Sequence, residues 1–279
     1  ITMRKLGIAV TTLLLVVVLA LMLVSAGLLP FSSGSANQPQ VAALSSRFSN
    51  ILQKETEHFL EIRPQLTVKT NHVQVVVQGA PVKQIEVRMV AETKALTPRR
   101  AQELLEEITF EVSTTDEENR FIVHIPNLHG NESAKADLHI LVPHNTSLDL
   151  TTGLGQVEVS TVQGNLRVLD QLGTIKIRDF QGNAYLETSL GNIEIASSQF
   201  ENELAAISNL GDLHIQASLA DKNVLESSLG DLTLILSPEE SYVLEGKLSL
   251  GKFQIKVPFK GQQDNERIQG IIGEGTQRG

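Results

Sequence analysis

The sequence predicts a mostly-β fold: a single-stranded β-solenoid with coils of 18–21 residues, preceded by an N-terminal transmembrane helix and a small α+β cap. Three observations predict it. A Leu-Gly dipeptide recurs six times, aromatic residues make up 4% of the chain while glycine occurs 20 times, and an uncharged apolar run lies near the N-terminus. Large rings do not fit the narrow interior of stacked coils, whereas glycine suits their tight corners.

The Leu-Gly repeat is the strongest signal in the chain. Its glycines are 18, 18, 20, 19 and 21 residues apart, and each dipeptide precedes alternating apolar residues. Each unit therefore predicts a tight turn that leads into a short strand. The dipeptides are Leu154-Gly155, Leu172-Gly173, Leu190-Gly191, Leu210-Gly211, Leu229-Gly230 and Leu250-Gly251. The residues expected to point inward are Val157 and Val159, Ile175 and Ile177, Ile193 and Ile195, Leu213 and Ile215, Leu232 and Leu234, and Phe253 and Ile255.

A second, weaker strand precedes each dipeptide at a nearly fixed offset, so every repeat supplies two walls. Turns such as Gln163-Gly164-Asn165 separate the walls, because Gly and Asn tolerate the conformations of a tight corner. In a parallel stack, the outward residues of neighbouring coils lie about 4.8 Å apart. Glu158, Lys176 and Glu194 alternate in charge along such a ladder, which favours this register.

The N-terminal segment predicts the location of the protein. Residues 6–29 carry no charge and are long enough to span a bilayer as a helix. Arg4 and Lys5 precede them, which predicts a cytoplasmic tip of residues 1–5, a single-pass membrane protein and an extracellular C-terminal domain. A cleaved signal peptide is the alternative, since Val24-Ser25-Ala26 offers small residues where a signal peptidase cuts. Residues 30–40 are rich in Ser, Gly and Pro and predict a linker.

Four regions follow the linker. Residues 41–62 predict a juxtamembrane helix, because Leu44, Phe48, Ile51, Leu52, Phe59 and Ile62 recur near helical spacing. Residues 63–136 predict a β-rich cap region, with strands over 66–78, 84–91, 109–113 and 121–125 and a helix that begins at Thr97-Pro98 and runs through Ile108. The solenoid repeats are expected over 137–272, and residues 273–279 are expected to form a disordered tail.

The repeats resemble the bacterial family called DUF4097, or "putative adhesin". The resemblance rests on Leu141-Val142-Pro143, on Ser147-Leu148-Asp149-Leu150, and on the Gly-x-aliphatic-x-aliphatic units with Gly-Asn turns between them. It covers residues 66–272. Members often carry Ser-Gly-Asp where this chain has Ser-Leu-Gly-Asp or Ser-Leu-Gly-Asn. The resemblance implies an extracytoplasmic stack of β-strand repeats without a catalytic motif, and the membrane-anchored layout also resembles LiaG-type proteins of cell-envelope stress systems.

Composition and motifs exclude several functions. A net charge of −9 disfavours a nucleic-acid partner, and the absence of cysteine excludes disulfides, thiolate metal sites and cysteine nucleophiles. Asn192, Asp212 and Asp231 follow repeat glycines and suggest a calcium ladder, yet turn preference alone explains them. The histidines form no metal motif; they are His58, His72, His124, His129, His139, His144 and His214. We expect no catalytic, cofactor-binding or metal-binding residue.

These patterns favour a membrane-anchored extracytoplasmic interaction or scaffold protein. Its expected partners are the lipid bilayer, through the N-terminal helix, and an envelope component or neighbouring membrane protein. The alternative is a carbohydrate-active enzyme on a β-helical scaffold. That enzyme would need a cluster of carboxylates with a basic residue on one outer wall. Glu158, Lys176 and Glu194 supply such charges, but they fit a stabilising ladder equally well.

Overall fold

The protein is mostly β over the residues that a computed structural model describes. These are residues 50–236, 240–250, 252–255, 258–264, 267–272 and 276–277, which together form 21 strands and one α-helix in a large mixed sheet. The predicted cytoplasmic tip, transmembrane helix and linker (1–40) lie outside the described residues. Within the described residues, the helix is too short and too polar to cross a bilayer.

The N-terminal region combines strands with the helix, as predicted. Its elements are β1 (Asn50–Leu60), β2 (Gln65–Lys69), β3 (Val73–Gly79), β4 (Ile85–Ala95), α1 (Pro98–Glu107), β5 (Thr109–Thr114), β6 (Glu118–His124) and β7 (Ser133–Val142). The strands predicted here are confirmed, although the first divides into β2 and β3. The helix begins as predicted, because the Thr97 hydroxyl accepts a hydrogen bond from the backbone N–H of Arg100 and Pro98 occupies the first turn.

The repeat region supplies two strands per Leu-Gly unit. Its strands are β8 (Ser147–Leu154), β9 (Val157–Ser160), β10 (Gln163–Leu172), β11 (Ile175–Arg178), β12 (Gln181–Leu190), β13 (Ile193–Leu210), β14 (Leu213–Ser218), β15 (Lys222–Leu229), β16 (Leu232–Ile235), β17 (Glu240–Leu250) and β18 (Phe253–Ile255). Three further strands follow: β19 (Phe259–Gln263), β20 (Arg267–Ile272) and β21 (Thr276–Gln277).

The repeat strands pair in two parallel ladders. The strand before each Leu-Gly corner pairs with its equivalents one repeat away; we call this ladder wall A, and it runs through β8, β10, β12, the second half of β13, β15 and β17. The strand after each corner does the same in wall B, through β9, β11, the first half of β13, β14, β16 and β18. Successive strands of the chain thus alternate between the two walls.

The inward residues of wall B form one buried file. Ile175, Ile193, Leu213 and Leu232 are direct partners in the parallel register, and each is at most 2% exposed. The predicted stacking of these four residues is therefore confirmed. Each adds its apolar area to a column that a single repeat could not bury. The predicted inward orientation of Phe253 and Ile255 falls on side chains outside those described.

The glycine of the Leu-Gly corner allows close contact between neighbouring repeats. Gly191 has a φ of 154°, a conformation that favours glycine, and a Cβ atom at this position would overlap the carbonyl oxygen of Gly173 in the preceding repeat. The corner is also tied by the backbone, since the N–H of Gly191 donates to the carbonyl of Leu210 at 2.8 Å. Glycine is thus required here both by conformation and by space.

The strands β2 and β3 correct the predicted division into cap and repeats. β2 pairs parallel with β8 in wall A, and β3 pairs parallel with β9 in wall B, so residues 65–79 continue both ladders. The sequence did not predict β2 and β3 as a repeat, because no Leu-Gly dipeptide lies between them. His72 pairs with Leu154, so it occupies the position that a leucine holds in the later units. The predicted boundary at 136/137 falls inside β7, which pairs with both β3 and β4.

The juxtamembrane helix predicted over 41–62 is wrong where the structure describes it. Residues 50–60 form β1, which pairs antiparallel with β4 from Asn50 to Leu60. The spacing of the apolar residues suggested a helix, but these residues do not share one buried face. Ile51 remains 58% exposed, while Leu60 is buried. Residues 41–49 lie outside the described residues.

Antiparallel pairings close both ends of the parallel ladders. At the N-terminal end, β1 pairs with β4, β4 with β7, and β5 with β6. At the C-terminal end, β17 and β19 each pair antiparallel with β20. The tail predicted from 273 is not disordered at Thr276–Gln277, because these residues pair with Glu240 and Ser241 of β17.

Candidate functional site

The outward ladder predicted on wall B is present. Lys176 lies between Glu158 and Glu194 in the parallel register, and its Nζ is 3.6 Å from an Oε atom of Glu194. Glu158 accepts a long hydrogen bond, 3.5 Å, from the Gln156 amide. Ion pairs as exposed as Lys176–Glu194 contribute tenths of a kcal/mol. The arrangement is accounted for by strand stacking.

The side chains of Asn192, Asp212 and Asp231 each accept a hydrogen bond from a backbone N–H of the next repeat. The Oδ1 of Asn192 accepts the N–H of Asp212 at 2.9 Å, and Asp212 accepts the N–H of Asp231 at 2.8 Å. Asp231 accepts the N–H of Lys252 in the same way. Each side chain thus ties one repeat to the next. Within the described residues, no group of three or more His, Asp or Glu side chains is placed to hold a metal.

The histidines are dispersed. His58 packs edge-on against Phe110 with ring centroids 4.1 Å apart, and burial lowers its pKa. His144 places Nδ1 2.9 Å from the carbonyl oxygen of Thr161, and His124 lies 3.6 Å from Glu111. His72, His129, His139 and His214 lie on separate elements or turns.

A groove on the outer face of wall A is the best candidate for a binding site. It encloses about 510 Å³ and crosses β8, β10, β12, β13 and β15. One file of outward residues forms its floor, in direct register from strand to strand: Asp149, Arg167, Tyr185, Ala205 and Val224. The floor therefore changes from charged, through aromatic, to small and apolar.

A bulge in β13 borders this groove, and its residue Glu203 lines it. Gly182 pairs with Phe200, but the next paired positions are Ala184 and Leu204, so Glu201, Asn202 and Glu203 oppose a single residue, Asn183. The Asn183 Oδ1 accepts hydrogen bonds from the backbone N–H groups of Asn202 and Glu203 at 3.0 and 3.3 Å. The bulge is thus fixed to the strand below it.

Amide and hydroxyl groups line the same side. The Asn183 Nδ2 donates to the Asn165 Oδ1 at 3.1 Å, and the Ser147 hydroxyl accepts the backbone N–H of Asn165 at 3.3 Å. Amides stacked in this way present donors and acceptors along the groove.

The charged groups of the groove are paired. Arg167 donates to Asp149 at 3.2 Å, and Lys222 donates to Glu203 at 2.9 Å. The Tyr185 hydroxyl donates to Glu187 at 2.7 Å, and this hydrogen bond raises the pKa of Tyr185. Tyr185 keeps 39% of its surface exposed, so its ring is held in place with part of its surface open to solvent.

These residues together suit the binding of a polyhydroxylated ligand. An anchored aromatic ring provides an apolar surface, and the amides and paired charges beside it provide hydrogen bonds. The groove was not predicted, because the outward residues of wall A follow no motif. One signal was available: the spacing of the repeat glycines rises from 18 to 20 residues between Gly191 and Gly211, which is where the bulge lies.

One buried carboxyl group lies apart from the groove. Asp170 is buried, with 4% of its surface exposed. Burial raises the pKa of Asp170 to about 6, although the N–H groups of Gln171 and Leu172 and the Thr188 hydroxyl oppose the shift.

Known proteins are similar to this chain in structure alone. No protein-family profile and no curated protein sequence matches it. Among solved structures, a "putative cell adhesion protein" from Clostridium sporogenes ATCC 15579 matches with 12% identity and a TM-score of 0.37, over 63% of this chain and 100% of its own. A "putative lipid binding protein" from Parabacteroides distasonis ATCC 8503 matches with 10% identity and a TM-score of 0.29, over 73% and 92%.

A third similar structure is a "putative adhesin" from Parabacteroides merdae ATCC 43184, with 8% identity and a TM-score of 0.24, over 73% of this chain and 95% of its own. At these identities and TM-scores, the likenesses assign no function. The membership of the DUF4097 family stays a prediction.

Proposed function

We propose that this chain is a non-catalytic interaction module of the cell envelope: a β-solenoid, anchored outside the cytoplasm by the apolar run at 6–29, that binds an uncharged polysaccharide in the wall A groove. The observation that carries the proposal is the groove floor, where the exposed ring of Tyr185 lies between the Asp149–Arg167 pair and the small residues Ala205 and Val224.

The shape of the groove supports an extended ligand. The floor file crosses five strands that are about 4.8 Å apart, so it spans about 19 Å, which suits several sugar rings rather than one. The C–H face of a sugar packs on an aromatic ring, and the hydroxyls around it exchange hydrogen bonds with amides and carboxylates. Tyr185, Asn165 and Asn183 supply these groups.

The charges support an uncharged polymer over a polyanion. Arg167 and Lys222 are already engaged with Asp149 and Glu203, so a phosphate-rich chain would have to displace a carboxylate to reach either cation. The net charge of −9 also disfavours a polyanion, because like charges repel.

The pairing of the groove carboxylates supports binding over hydrolysis. Glycoside hydrolysis uses one carboxyl group as an acid and a second as a nucleophile or base. Here Asp149 is paired with Arg167, Glu203 with Lys222, and Glu187 accepts the Tyr185 hydroxyl. The groove thus presents no carboxyl group set apart as an acid.

The solenoid architecture and the extracytoplasmic location are supported by separate observations. Successive strands alternate between walls A and B, so one repeat per turn of a solenoid is the simplest path for the chain. Arg4 and Lys5 before the apolar run support an extracytoplasmic domain.

The test measures glycan binding by the full chain in detergent micelles, by titration calorimetry, with chito-oligosaccharides as the uncharged probe. Tyr185→Ala should weaken binding at least 10-fold, because it removes the stacking surface. Tyr185→Phe keeps that surface and should bind within about 3-fold of wild type. Glu194→Ala, on wall B, is the control and should bind as wild type does.

Two results would contradict the proposal. Equal affinity of wild type and Tyr185→Ala would place any binding elsewhere. Shortened oligosaccharide products after prolonged incubation would make the protein an enzyme of the carbohydrate-active class.

A further inference from the structure

An uninterrupted stripe of leucines lies along one edge of the protein. It consists of the leucines of the six Leu-Gly corners, which are direct partners from strand to strand: Leu154, Leu172, Leu190, Leu210, Leu229 and Leu250. Their exposed fractions lie between 37% and 66%, whereas the neighbouring inward residues are buried. We call these six residues the leucine stripe.

The leucine stripe is not explained by the fold of one copy. Single exposed leucines are common, but six in register over about 24 Å form one apolar surface, and such surfaces mark interaction sites. At the five corner glycines that the structure describes, from Gly155 to Gly230, a Cβ atom would overlap the backbone of the neighbouring repeat, and no such demand falls on the leucine before each of them.

We propose that the leucine stripe is a seam between two parallel copies of this chain, related by a two-fold axis along the stripe. A second copy is the partner with the same spacing of apolar side chains at every level. Each leucine can then pack against its counterpart over the full length. The two-fold relation makes the surface complementary to itself.

The residues beside the stripe fit this arrangement. A two-fold axis along the stripe brings the wall A flank of one copy opposite the wall B flank of the other. Asn209 and Ser228 on the first flank then lie level with Asp212 and Asp231 on the second. One oxygen of each aspartate accepts a backbone N–H of the next repeat, which leaves the other for an amide or hydroxyl of the partner copy.

A lipid surface fits the stripe less well. Asp212 and Asp231 lie beside it, and Lys252 is the single cation among the residues that follow the corner glycines. An anionic bilayer would therefore meet carboxylates along its contact with the leucines.

The parallel direction rests on the proposed membrane anchor. Two copies that leave the same membrane present their N-terminal ends at the same level, so equivalent leucines face each other. The seam itself does not depend on the groove or its ligand, so failure of glycan binding would leave it standing.

The absence of native cysteine allows a direct test with the full chain in membranes. Leu154→Cys and Leu229→Cys, made separately, should each give a covalent dimer with a short bismaleimide, because each residue faces its own counterpart. Leu128→Cys is the control: Leu128 is 40% exposed but lies off the stripe, and it should remain monomeric.

A second measurement separates the seam from a loss of folding. Leu190→Gln combined with Leu210→Gln should weaken dimerisation of the full chain in detergent at least 10-fold, as followed by sedimentation, with little change in melting temperature. Val112→Gln combined with Leu128→Gln removes similarly exposed apolar groups elsewhere and should leave the dimer intact.

Three outcomes would overturn the proposal. One is a wild-type protein that is monomeric at all concentrations. Another is a dimer that survives the double stripe variant. The third is cross-linking of Leu154→Cys only to a Leu250→Cys copy, which would mean antiparallel association.

Discussion

Replacing Asp170 by threonine should stabilise the protein at neutral pH, because the carboxyl group is buried where its neighbours carry hydroxyls. Asp170 lies between Thr152 and Thr188 in the parallel register of wall A. Further along the same file, the hydroxyls of Ser208 and Ser227 donate to glycine carbonyls of the preceding repeat, each at 2.9 Å. An ionised carboxylate at such a position can accept hydrogen bonds but cannot donate one.

The magnitude follows from the pKa of Asp170. Burial raises it from 3.8 to about 6. Since the folded-state pKa is the higher one, folding favours the protonated form; this stabilisation is complete below about pH 3.8 and is lost as the pH rises through about 6. A difference of about two pKa units, at about 1.4 kcal/mol each, gives about 3 kcal/mol.

The assay is chemical unfolding of wild type and Asp170→Thr at a series of pH values from 4 to 7.5. Other carboxyl groups titrate equally in both proteins, so the difference between the two free energies of unfolding isolates Asp170. That difference should shift in favour of Asp170→Thr by about 2–3 kcal/mol between the two ends of the series. The exposed Asp116, in the turn between β5 and β6, provides the control, because Asp116→Asn removes a carboxyl group that is not buried. A difference between wild type and Asp170→Thr that stays constant over the series would refute the reasoning.

Two further predictions concern the fold, and a third concerns the location of the protein. Ile193→Asp places a charge in the buried file of wall B and should destabilise the protein by at least about 4 kcal/mol in thermal unfolding, whereas Glu194→Ala should cost tenths of a kcal/mol; an unchanged melting temperature for Ile193→Asp would contradict the inward orientation. Gly191→Ala should lower the free energy of unfolding far more than Gly130→Ala. Gly130 has open space around it, so its substitution adds only about 1–2 kcal/mol of backbone strain. Similar losses of stability in the two variants would refute the close approach of the repeats. Protease added outside cell-wall-stripped cells should degrade the chain after Pro30. Protection of the chain from the protease in intact cells would overturn the extracytoplasmic location.

The sequence predicted the repeats well because their signal combines two constraints. The corner glycine is required by its conformation, and the residues two and four positions after it must be apolar to fill the column. Both constraints recur along the repeats, as at Gly211 with Leu213 and Ile215. Local patterning and global packing therefore agree, and the register of wall B could be read directly.

The pattern failed where burial is one-sided or where a strand joins the ladders from a distance. In β1, cross-strand polar contacts such as Gln53 with Glu92 stabilise a strand whose apolar residues are partly exposed. β2 reaches wall A next to β8, which begins 78 residues after β2 ends, and no local signal records that pairing. Tertiary context decided both elements.

The candidate sites were harder still to foresee. The proposed site at Tyr185 lies beside the bulge at Glu201–Glu203, and the bulge is visible in the sequence only as two extra residues. The leucines of the repeat are evident in the sequence, but the sequence pattern does not show whether their side chains point inward or outward at the corner.

The independence of the middle repeats has an evolutionary consequence. Each wall strand there hydrogen-bonds to the equivalent strand above and below, while the antiparallel closures involve only the two ends. Tandem duplication of one 18-residue unit, such as that from Gly155 to Gly173, would insert a new level without disturbing either closure. Every such event would lengthen the domain by about 4.8 Å. The number of repeats alone could therefore change the length of the domain, while the outward side chains diverge freely.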